Sequence, residues 1–128
     1  MKTFLRMISD RQTMVLTLPN LDFGSLNQNN LAKLRALFRH AANRFRGQTL
    51  ILDVSAARSA GAAFLTQVHE FASALDKINA SFVIAGDVDG LIRLVGWNRR
   101  FRCYPSLVDA VLAASDRQQR LSMSTCIP

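Results

Sequence analysis

Thr49-Leu50-Ile51-Leu52-Asp53-Val54 decides the fold class of this chain. An unbroken apolar run with an acid near its end suits a central strand covered on both faces, whereas a strand with one wet face alternates polar and apolar residues. Downstream of it, a segment of small residues from Ser55 to Ala63 leads into a helix that carries Leu65, Val68, Ala72 and Leu75 on one stripe, with Phe64, Phe71 and Ile78 beside it. Ser81-Phe82-Val83-Ile84-Ala85-Gly86 reads as the next strand. Asp87 can cap a short helix over 90–95, which Gly96 stops, and Phe101-Arg102-Cys103-Tyr104 reads as a short strand. Ser106, with Asp109 three residues on, opens a last helix through Leu107, Ala110, Val111 and Ala114.

Upstream, Gly47 ends a helix whose apolar stripe is Leu31, Leu34, Phe38, Ala41 and Phe45, and Ser25 with Gln28 reads as its capping box. Before it, Thr13-Met14-Val15-Leu16-Thr17-Leu18 is a strand halted by Pro19-Asn20, with Phe4 to Ile8 as a short partner strand. Strands alternating with helices predict an α/β fold with a mixed, mostly parallel sheet of four or five strands, right-handed crossovers and about four helices. A single domain is expected over residues 1–115, with 116–128 as a polar, flexible tail.

Four segments in this order resemble the STAS domain family, to which bacterial anti-sigma factor antagonists belong. They are Leu50-Ile51-Leu52-Asp53-Val54-Ser55, the Leu65 helix, Phe82-Val83-Ile84-Ala85-Gly86, and Gly96-Trp97 followed by Tyr104-Pro105-Ser106-Leu107 and Ala110. Each alone could occur in any α/β protein; the resemblance lies in their order and separation, over roughly residues 4 to 115. It implies a single-domain STAS-like fold and a non-catalytic role in protein–protein interaction, in bacterial signalling and regulation of transcription. The implied partner is a kinase-like anti-sigma factor that phosphorylates the first Ser of an Asp-Ser-Ser-Gly-Leu motif where the loop enters the second helix. A phosphate added at a helix start changes the charge of a docking surface and so the affinity for the partner.

This chain departs from the family at that motif. Aligned without gaps from Asp53, the motif falls on Gly61-Ala62-Ala63-Phe64-Leu65, so Ala62 and Ala63 stand where the family has serines. Alanine has no hydroxyl to esterify. A second register places Ser59-Ala60-Gly61 on Ser-Ser-Gly and restores a phosphoacceptor at Ser59, but it deletes three residues from the loop and puts Arg58 where the family has Asp. The gapless register keeps strand end and helix start in phase. Under it the phosphorylation switch is lost and a partner-binding surface remains at Ser59, Gly61, Ala62, Ala63 and Phe64.

Composition bounds the rival readings. The chain has 128 residues, 49% hydrophobic and 20% charged, which excludes disorder and low-complexity linkers. No apolar stretch approaches the ~18 residues of a membrane helix, so no membrane insertion is expected and a cytoplasmic location is. Cys103 and Cys126 are too few for a disulfide framework and lack zinc-ligand spacing, and no cofactor or metal is implied. His40 and His69 have no nucleophile or acid beside them in a recognisable motif, and Gly86-Asp87-Val88-Asp89-Gly90 lacks the Lys of a phosphate loop, so no enzyme can be assembled. Asp53, at a strand's C-terminal end, is read as structural.

The net charge of +7 is the feature most open to another function. Lys33, Arg35, Arg39, Arg44 and Arg46 lie on the first helix. Trp97-Asn98-Arg99-Arg100-Phe101-Arg102 interleaves cations with aromatics, an arrangement able to stack on bases and grip phosphates. Two rival functions follow: a nucleic-acid-binding protein using Arg99, Arg100 and Arg102, and a STAS subunit of a transporter ATPase complex. The split of the basic residues into two groups makes nucleic acid the weaker candidate, and a homodimer stays open.

Overall fold

The computed structural model describes residues 4–7, 13–18, 22–23, 26–45, 48–56, 59–86 and 101–114. Its elements run β1 (Phe4–Met7), β2 (Thr13–Thr17), β3 (Asp22–Phe23), α1 (Gln28–Arg44), β4 (Thr49–Asp53), β5 (Ser59–Ala60), α2 (Ala62–Asp76), β6 (Ser81–Ala85) and β7 (Arg102–Tyr104). A last helix, α3, covers 107–114. Five strands form one sheet in the order β1-β2-β4-β6-β7. β1 lies antiparallel to β2, and every other neighbouring pair in that sheet is parallel. The α/β class and the mostly parallel sheet are those expected. The described residues hold three helices; the short helix read over 90–95 and the tail over 116–128 lie outside them.

β4 sits in the middle of the sheet, as its unbroken apolar run requires. Leu50, Ile51 and Leu52 are fully buried. Because successive side chains point to opposite faces, Leu50 and Leu52 join Leu16, Ile84 and the inner sides of α1 and α2 in one cluster. Ile51 joins Val15, Val83, Ala85 and Ala110 of α3 in another. The domain is therefore three layers, with α1 and α2 on one face and α3 on the other.

The helices begin and end for local reasons. The cap of α1 is Asn27, whose Oδ1 accepts from the Asn30 amide at 2.8 Å. This corrects the capping box read at Ser25: Gln28 is the first helical residue, and Ser25 lies outside the described residues. Of the stripe read on α1, Leu34, Phe38, Ala41 and Phe45 are buried and Leu31 is half-buried. On α2 the stripe turns: the buried residues are Phe64, Gln67, Val68, Phe71 and Leu75, while Leu65 and Ala72 are half-buried and Ile78 is exposed. Bulk decides the rotation, because Phe71 stacks on Phe38 with ring centroids 4.6 Å apart and meets Phe82 edge-on.

α2 stops at a left-handed residue, Asn79 (φ 59°). The Ala80 amide reaches back to the Leu75 carbonyl and the Asn79 amide to that of Asp76, both at 3.0 Å, which satisfies carbonyls the helix end would leave open. At α3 the Asp109 amide donates to the Ser106 hydroxyl at 3.2 Å, and that hydroxyl donates to the Asp109 carboxylate at 3.0 Å, which is the cap expected there.

Candidate functional site

The C-terminal ends of the parallel strands and the start of α2 form one continuous surface. Chain direction alone brings this about, since a helix that links two parallel strands must begin where the first of them ends. The ladder continues past the strands at this end: the Leu18 amide donates to the Asp53 carbonyl, that of Val54 to Ala85, and that of Gly86 to Tyr104.

Asp53 anchors the turn out of β4. Its side chain is buried, and Oδ1 accepts from the Ser55 amide at 3.1 Å and from the Ser55 hydroxyl. The side chain thus imitates a backbone turn and fixes the direction in which the chain leaves the sheet. Gly86 presses on the same turn from β6. Its φ is +94°, and a Cβ built there would lie 2.8 Å from the Ser55 nitrogen and 2.9 Å from its Cα. Only glycine meets both demands.

Beyond this turn, β5 pairs in parallel with β3, Asp22 opposite Ser59 and Phe23 opposite Ala60. The loop that leads into α2 is thereby tied to the loop that leads into α1. Gly61 then caps α2 in an extended conformation, with no side-chain hydrogen bond and no acid in the first turn. Its carbonyl accepts from the Leu65 amide at 3.0 Å. Ala62 and Ala63 are exposed, and the Thr66 hydroxyl donates to the Ala62 carbonyl at 3.0 Å. What faces outward is a pair of methyl groups at the partly positive end of a helix. Neither Ala62 nor Ala63 offers a hydroxyl.

Phe64 does not belong to this surface. Its accessible area is zero, because the helix turns it into the cluster between α2 and the sheet. That is a correction to the site read from sequence. Ser59 opens β5, close to the cap in sequence and separated from it by Ala60. Arg102 is exposed on the edge strand β7, while Arg99 and Arg100 lie outside the described residues. His40 is exposed on α1; His69 is half-buried on α2, its ring 5.4 Å from that of Phe101. Cys103 is half-buried, with its thiol toward the Phe101 carbonyl at 3.6 Å, and Cys126 lies outside the described residues. Among the described residues no three His, Cys, Asp or Glu side chains gather as metal ligands.

Sequence reading missed three features of this region. The β3–β5 pair is two residues long, too short for periodicity to register. The Asp53-to-Ser55 turn has a signal, an Asp two residues before a Ser at a strand end. The close approach of Gly86 has only the weak signal of a glycine that ends a strand.

No family model and no curated protein matches the chain. Solved structures do. An anti-sigma factor antagonist from Mycobacterium paratuberculosis superposes with a TM-score of 0.71 at 19% identity, over 88% of this chain and 92% of that one. An anti-sigma-factor antagonist (STAS) domain protein from Planctomyces limnophilus gives 0.72 at 13% identity, over 88% and 97%. The anti-sigma factor antagonist SpoIIAA, in its unphosphorylated form, gives 0.65 at 11% identity, over 90% and 98%. These superpositions show that the chain, with its mixed, mostly parallel sheet and β4 at the centre, has a STAS-like fold.

Proposed function

We propose that this protein is a non-catalytic binding module of the anti-sigma factor antagonist kind, acting in the cytoplasm as a regulator through its partner. It docks a protein, a kinase-like anti-sigma factor being the best candidate, through the α2 entrance formed by Gly61, Ala62 and Ala63 with Ser59 beside them. One observation carries the reading: Ala62 and Ala63 are exposed at the first turn of α2, on an entrance held by the Asp53 turn and the β3–β5 pair. With methyl groups where the resembled family has hydroxyls, the module is not switched by phosphorylation at that step.

Isothermal titration of the full chain with the kinase-like anti-sigma factor of its own organism tests this. Ala62→Asp places a carboxylate on the patch and is expected to weaken binding about tenfold or more, the scale of one desolvated charge at an interface. Equal affinity for both forms would remove the α2 entrance from the interface. Ala62→Ser, incubated with the same partner and ATP, is expected to gain one phosphoryl group that the natural chain does not accept. Phosphate on Ser59 of the natural chain would instead favour the shifted register.

A further inference from the structure

Away from the α2 entrance, α1 and α2 leave a shallow groove of about 290 Å³ between their outer sides. Its floor is the stacked pair Phe38 and Phe71, and its walls carry Arg35 and Arg39 from α1 with Gln67 and Glu70 from α2. Gln67 is 5% exposed, and its carboxamide makes no hydrogen bond among the described residues. No wholly buried side-chain nitrogen or oxygen in the described residues lacks a partner, so the polar atoms of Gln67 are not sealed from the surface, and Gln67 lines the groove. A side chain held nineteen-twentieths inside, with an unsealed amide at an open cleft, is a donor and acceptor awaiting an occupant.

The charge around it is unbalanced. Arg35 and Arg39 stand one turn apart on the same side of α1, both exposed, and neither is ion-paired among the described residues. α1 has no acidic residue to neutralise them, and it carries Lys33 and Arg44 as well. Two guanidinium groups at this spacing can grip one carboxylate with forked hydrogen bonds.

We propose that the groove is a second docking site, which takes an acidic segment of a partner protein. A Glu or Asp of that segment lies between Arg35 and Arg39, and its backbone or a polar side chain pairs with the Gln67 carboxamide. Phe38 and Phe71 are 4% and 3% exposed, too covered for bases to stack on, which favours a peptide over a nucleic acid. The site stands apart from the α2 entrance and does not depend on it.

The test is a two-dimensional NMR titration of the full chain with a capped helical peptide of about 15 residues built from Glu, Ala and Leu. Its Gln-for-Glu counterpart and a single-stranded thymidine oligonucleotide serve as comparisons. Expected are shifts of the Gln67 side-chain amide and of the Arg35 and Arg39 Nε–H signals with the Glu peptide only. Arg35→Gln/Arg39→Gln, at exposed positions that leave the core untouched, is expected to weaken peptide binding about tenfold. Gln67→Leu should weaken it while keeping the fold. Equal shifts with the Gln peptide, equal or stronger shifts with the oligonucleotide, or unchanged binding by the double variant would each overturn the proposal. Because the Glu peptide reports on the groove residues directly, failure here leaves the Ala62→Asp result to judge the α2 entrance alone.

Discussion

Gly86 and Phe64 show how little a residue's position in a motif says until its surroundings are known. At Gly86 any side chain meets the backbone of Ser55, and the φ of +94° is one that L-residues adopt at a cost. Gly86→Ala is therefore expected to lose about 2 kcal/mol or more, read as a lower urea midpoint with an unchanged slope. A midpoint equal to that of the natural chain would mean that the Ser55 turn yields freely. Phe64 carries the opposite lesson. It stands in the stretch aligned with the phosphorylation motif, yet its neighbours are core side chains. Phe64→Ala is expected to cost about 3–5 kcal/mol of stability, the usual toll for emptying a buried aromatic site. A docking residue would instead lose affinity with stability intact, so a denaturation curve decides between the two.

At the scale of the element, caps and stripes were unequally legible. Asn27→Ala removes the only side-chain bond at the start of α1 given among the described residues and is expected to cost about 1 kcal/mol, measurable as a lower thermal midpoint. Ser25→Ala should leave the midpoint unchanged if Asn27 alone does this work. The sequence offers Ser25, Asn27, Gln28, Asn29 and Asn30 within one turn, and cap preference alone cannot rank neighbours so similar. α3 presents a single Ser–Asp pair, and there the reading and the structure coincide. The stripe of α1 was legible because its large apolar residues keep one spacing. On α2, apolar residues cover so much of the helix that two stripes compete. The ring contacts of Phe71 with Phe38 and Phe82 select between them, and those partners come from elements far away in sequence.

For the whole molecule, strand alternation and the apolar run of β4 carried the sheet, since both are local properties summed along the chain. The site depended on what is not local. Only the folded chain brings Gly86 against Ser55 and ties Ser59 to Asp22, and only these contacts present Ala62 and Ala63 outward at a fixed place. This arrangement gives folding and docking opposite responses to one substitution. α2 begins with neither a side-chain cap nor an acid in its first turn. A carboxylate at Ala62 meets the positive end of the helix dipole, so Ala62→Asp is expected to stabilise the domain by about 0.3–1 kcal/mol at low salt, an effect that shrinks as salt screens it. The same variant is expected to lose its partner. Thermal midpoints at low and high salt, set beside the binding titration, separate the two responses. A midpoint that falls together with affinity would show that the substitution damages the α2 entrance itself, and the loss of binding would then say nothing about which surface the partner covers.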